Sequence, residues 1–155
     1  KNAEELIARK KEIFDNVIPA SNSLMAHNLY TLGLIVDHTD YVELADWMLS
    51  KMKRSMLADV QWVTNWAALY VLRTQPTAEV ALVGNDVETY RKALETYFWP
   101  NKIVVGTATS SDLPLLEGRI AKDDLTTIYV CFNKTCQLPV HTVEQAWMQL
   151  NNING

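Results

Sequence analysis

The stretch YVCFNKTCQLPVH, residues 129–141, sets Cys131 and Cys136 five residues apart, with His141 five further on. Three chemistries use such side chains: a redox dithiol, part of a metal site, or plain scaffold. A reactive dithiol needs its thiol pKa lowered by a helix N-terminus or by cations. Lys134 is a nearby cation, but four residues intervene at a strand exit, where a thioredoxin-type pair has two at a helix start. A closed zinc site takes four ligands, and Cys131, Cys136 and His141 supply three, so no metal is expected. Cys131 continues the apolar run TIYVCF, where cysteine packs as a small hydrophobe. Scaffold is therefore favoured over a disulfide or redox role and over metal, and no reactive dithiol is expected.

A second constellation is Lys11, Glu12, Asp15, Ser21, Asn22 and Ser23. The polar triplet opens an apolar helix, whose free N–H groups and dipole favour polar or anionic ligand groups. Asp15 or Glu12 offers a carboxylate for acid–base work. These six are the candidate ligand-cleft residues, against the plainer alternative of capping and loop anchoring; no catalytic residue is assigned. Gly84-Asn85-Asp86 stands where a phosphate-binding turn would, without the glycine spacing of a dinucleotide fingerprint; a helix cap from Asn85 with Glu88 is the better reading. His27 suits a hairpin contact and His38 a solvated turn. Trp62 and Trp66, four apart, suit core packing better than sugar stacking.

The whole chain constrains what these groups serve. Its 155 residues are 48% hydrophobic and 21% charged, normal for a folded soluble chain of one core or two small parts. A net charge of −4 argues against nucleic acid, which needs a basic face. No apolar run approaches the roughly 18–20 residues of a membrane span. Neither a membrane partner nor a cofactor is expected, and the expected location is cytoplasmic. The chain begins at Lys1, so a preceding segment is expected to be missing.

The first half reads as helices. In SNSLMAHNLYTLGLIV, Met25, Leu29, Leu32 and Val36 line one face and other apolar residues fill the rest, which predicts a helix over 23–36 buried on most sides, N-capped by Ser21 or Asn22. A second helix starts at Asp40, with Glu43 three residues on as in a capping box; a third runs from about Val60 to Arg73. Before Lys11, helix and extended edge are both open. From Glu79 onward, EVALVG, KIVVGT and TIYVCF read as strands covered on both faces. A helix lies over 86–98, and another follows Thr142 and Gln145. This order predicts a three-stranded parallel unit. The fold expected is mixed α and β: helical hairpins over 1–76, then a small three-stranded parallel α/β unit over 77–155.

Three segments, ARKKEIFDNVIPASNSLMAHNLYTLG, FWPNKIVV and IYVCFNKTCQLPV, occur in an order that resembles the C-terminal part of thioredoxin-domain-containing proteins of the spermatogenesis-associated-protein type. That resemblance implies a fragment: the last hairpins of an (α/α) toroid similar to N-acylglucosamine 2-epimerases and six-hairpin glycosidases, plus an α/β appendage. The partners it implies are the missing toroid hairpins and a thioredoxin-like domain of the same chain. It also favours an extended stretch before Lys11, and places the helix start at 21–23 toward a toroid cleft. Where the family has Pro-Ser-Gly-Asn-Ser, this chain has Pro19-Ala20-Ser21-Asn22-Ser23. On its own it is expected to be a non-catalytic structural or interaction module that self-associates through an exposed apolar helix; the alternative is part of a carbohydrate-active toroid.

Overall fold

The computed structural model describes residues 12–152. Lys11 and the stretch before it, where helix and extended edge were both open, lie outside the described residues. The first half forms α1 (Ser21–Ile35), α2 (Thr39–Ala58), a single 3-10 turn (Val60–Trp62) and α3 (Thr64–Leu72). Gly33 lets α1 and α2 meet closely: a Cβ there would stand 2.7 Å from Val42 Cγ2 and 3.1 Å from the His38 carbonyl. Tyr30, Leu49, Met52, Val63, Trp66 and Leu69 form the core between the three helices.

The start and burial of α1 differ from expectation. The N-cap is Ala20, with no side-chain cap, and Ser21 and Asn22 sit inside the first turn. Only Ser23, Ala26, Tyr30 and Gly33 of α1 are buried, while Leu24, Met25 and Leu32 are 46%, 52% and 45% exposed. Asp40, expected as a cap, lies within the first turn of α2 behind His38, where its charge faces the positive end of the helix dipole.

The second half holds β1 (Ala78–Val83), α4 (Val87–Glu95), β2 (Lys102–Thr107), β3 (Thr127–Phe132), β4 (Thr135–Cys136) and α5 (Val143–Asn151). The strand order is β2-β1-β3-β4. β1 and β2 pair in parallel, as the intervening helix demands. β1 and β3 pair antiparallel, so the expected all-parallel sheet is corrected to a mixed one. The reason lies in residues 108–126, which contain no helix to act as a crossover. The chain returns there by an irregular segment. That segment covers one sheet face with Leu113 and Leu116 against Ala81, Val83, Tyr129 and Cys131. Helices α4 and α5 cover the other face, packing on Ala78, Val80, Leu82, Ile128 and Val130.

β4 was not foreseen. It follows a two-residue turn in which Asn133 and Lys134 have φ of 50° and 64°, as a type I′ hairpin requires. At α5, Thr142 Oγ1 accepts from the Gln145 N–H at 3.2 Å as the sequence implied. At α4 the expected side-chain cap is absent. Instead Gly84, at φ 140°, brings the turn so close to Thr126 that a Cβ would stand 2.6 Å from the Thr126 Cα, and Thr126 Oγ1 accepts the Asp86 N–H.

Helices and sheet meet at a polar joint. Tyr30 Oη lies 2.6 Å from Thr77 Oγ1, which donates to Asn101 Oδ1 at 2.7 Å. Asn101 Nδ2 turns to the Leu72 and Gln75 carbonyls. Arg73 pairs through two nitrogens with Asp46, both at 2.8 Å, and also donates to Tyr30 Oη. The Asp46 carboxylate holds the Arg73 pKa above its ordinary value, with burial opposing.

Candidate functional site

Segment 12–23 gathers five of the six cleft candidates; Lys11 is outside the described residues. Asp15 is 5% exposed. Its Oδ1 accepts the Ala20 N–H at 2.9 Å and lies 3.1 Å from Ser23 Oγ, and its Oδ2 accepts the Asn65 N–H at 2.8 Å. One carboxylate thus satisfies donors at the starts of α1 and α3, which no side chain within either helix caps. Ser23 Oγ shares its proton between Asp15 and the Ala20 carbonyl and accepts from Asn65 Nδ2. Asn22 Nδ2 donates to the Glu12 carbonyl, so Glu12 takes part through its backbone. The segment is pinned further by the Asp15 N–H on the Trp62 carbonyl and by Trp66 Nε1 on the Ile13 carbonyl. Ser21 and the Glu12 side chain face solvent.

The other flagged residues are scattered. His27 Nε2 lies 2.9 Å from the Asn65 carbonyl and ties α1 to α3. His38 is exposed and stacks on Tyr41. Trp66 is core, but Trp62, on the preceding turn, is 49% exposed. Among the described residues, no group of three His, Cys, Asp or Glu side chains stands close enough to hold a metal ion.

Cys131 and Cys136 are joined by a disulfide. This corrects the picture of Cys131 as a free, packed thiol: β4 brings Cys136 directly opposite Cys131 in the hairpin. Two groups gather there that spacing alone did not reveal. Arg119, from the 108–126 segment, points a guanidinium nitrogen at Cys131 Sγ (3.2 Å) and Cys136 Sγ (3.3 Å). It also lies over the Tyr129 ring, 5.8 Å from its centre. Glu79 pairs with Cys131 across the β1–β3 register and is 5% exposed. Burial raises the Glu79 pKa, with the Arg119 charge and the Lys134 backbone N–H opposing. Burial lowers that of Arg119, with Glu79 and Tyr129 opposing. The one sequence signal was a glutamate inside an otherwise apolar strand, since a strand buried on both faces takes a charge only with a partner.

No protein-family model and no solved structure matches the chain. Over 150 residues it is 24% identical to spermatogenesis-associated protein 20 of Mus musculus, and over 146 residues 25% identical to that of Homo sapiens. These alignments cover 88% and 85% of this chain, and 18% of each relative. The chain thus spans less than a fifth of the curated relatives it matches. The similarity is weak homology over most of the chain, consistent with a domain of a larger protein.

Asp15→Ala should cost about 3 kcal/mol, because the buried amide of Ala20 and the half-buried amide of Asn65 lose a charged acceptor; Asp15→Asn should cost less. Urea unfolding measures both, and a cost near zero for Asp15→Ala would count against the clamp. Glu79 gives a pH signature. Its folded pKa is raised, so its carboxyl favours the folded state at low pH, and that contribution is lost as pH rises through the folded value. Glu79→Gln stays neutral, so its Tm relative to the native chain should rise between acid and neutral pH. An offset constant with pH would contradict the shift.

Proposed function

We propose that this chain is a non-catalytic structural and interaction module of a longer protein, docked through the apolar surface of segment 13–32. The observation that carries this is the run of exposed apolar side chains there: Phe14, Val17, Ile18, Leu24, Met25 and Leu32. Leu24 and Met25 stand eight and seven residues before Leu32, so the three share one helical face. An apolar patch of this kind, beside a clamped polar loop, marks an interaction surface. In this reading α1–α3 are the last hairpins of an (α/α) toroid. Its earlier hairpins and a thioredoxin-like domain of the same chain are the partners, and the location is cytoplasmic. No described helix is long and apolar enough to cross a membrane. The weak homology to a short stretch of much longer relatives supports a module of this size. A carbohydrate cleft at the 15–23 loop is the weaker reading, because Asp15 has both oxygens engaged by the chain itself.

With no partner present, the same surface should drive self-association. Sedimentation of the 155-residue chain should show concentration-dependent dimers or larger species. Met25→Glu and Leu32→Glu should each weaken association by about tenfold or more, through the lost burial of one large side chain. A native chain that remains monomeric across the concentration series would contradict the proposal.

A further inference from the structure

We infer that the Cys131–Cys136 cystine, with Arg119 against both sulfurs, is a thiol–disulfide exchange site that accepts an external dithiol at Cys136 and releases Cys131 as the leaving thiolate. The inference is independent of the docking reading and starts from the inequality of the two sulfurs. Cys131 is 0% exposed, whereas Cys136 lies exposed on the two-residue strand at the sheet edge. Exchange proceeds by attack of a thiolate on one sulfur along the line of the bond, so access decides which sulfur is attacked. Here only Cys136 offers that approach.

Arg119 supplies the second half of the argument. A neutral disulfide sulfur is a weak acceptor, while hydrogen bonds from a guanidinium to an anion are strong. The contacts at 3.2 and 3.3 Å therefore gain most of their strength when the bond opens and a thiolate appears. A cation so placed lowers the pKa of a thiol and makes it a better leaving group. Around Arg119 and the pair stand Glu79 from β1, Tyr129 from β3, Asp37 from the turn after α1, and Lys134 from the hairpin turn. Lys134 is paired with Asp37. That leaves Glu79 as the buried anion competing for Arg119, beside a pocket of about 200 Å³ that Glu79, Arg119, Asp37 and Lys134 line with Leu34 and Leu115.

The step balances as follows. A reductant thiolate attacks Cys136 Sγ, the Cys131–Cys136 bond breaks, and its electron pair leaves on Cys131 Sγ as a thiolate held by Arg119. The reductant's second thiolate then attacks its own sulfur in the mixed disulfide, forming the oxidised reductant and releasing Cys136 thiolate. Two electrons pass from the dithiol to the protein, and the two protons of the reductant's thiols end on Cys131 and Cys136, or in solvent while Cys131 remains ionised.

A purely structural staple is the competing reading, and chain entropy gives it little weight. The bridge spans a sequence separation of 5 in a hairpin already closed by the Phe132–Thr135 pairing and by the Gln137 N–H on the Val130 carbonyl. The stabilisation expected from cross-linking grows with loop length and is least for a loop this short.

The test uses dithiothreitol on the folded 155-residue chain, with reduction followed by mass spectrometry and the fold by circular dichroism. We expect the pair to open with the fold retained, and Arg119→Gln to slow the opening about tenfold and raise the alkylation pKa of the reduced chain by about one unit, with Arg119→Lys partly restoring both. Oxidised glutathione should add to Cys136 in Cys131→Ser and leave Cys131 unmodified in Cys136→Ser. Should these variants not fold, the native chain still decides. Opening only at the rate of global unfolding would overturn the inference, as would folded variants equal to the native chain in rate and pKa.

Discussion

The pairing of β1 with β3 is the constraint on which the rest depends. All six residues of β1 are buried, so the strand is satisfied only if both neighbours are in register and both sheet faces are covered. A slip of one residue would exchange the faces of every side chain. Leu82 and Val80 would leave the helices, and Glu79 would be driven into the apolar layer under α4 and α5. With the register as found, Glu79 and Cys131 share the face covered by segment 108–126. The segment that covers this face also delivers Arg119, so the fold's solution to one buried strand creates the charged surroundings of the cystine.

The helical half is organised differently. Its interior is apolar, but its edges are fixed by a few polar groups that each serve several elements. Asp15 meets the starts of two helices, and Asn101 and Tyr30 tie helices to sheet. The Asp15 bonds hold segment 12–20 in place while leaving Phe14, Val17 and Ile18 outward. A loop so clamped presents a defined surface, and association through it would cost less ordering entropy than association through a loose one.

Much of this was legible from residue patterns. Strand positions emerged because β-rich apolar runs end at Gly84, Thr107 and Asn133, where the chain turns. The mixed α and β character followed from the change of period near Glu79. The strand direction of β3 did not, because nothing apolar and periodic marks 108–126, and absence of a helix is hard to read among Pro, Ser and Gly. At the candidate loop, spacing gathered Asp15 with Ser23. It could not reveal Asn65, fifty residues away from Asp15, as the shared partner. The disulfide was weighed but not favoured for a related reason: a two-residue β4 leaves no pattern of its own, yet it sets Cys136 across from Cys131.

The central claim, that segment 13–32 is a docking surface, is tested most directly by hydrogen exchange. Amide exchange should be compared between the 155-residue chain and a longer native protein that contains it. The account predicts markedly slower exchange over residues 12–35 in the longer protein, with β1 and β3 equally protected in both. Identical exchange over residues 12–35 in the two would contradict it.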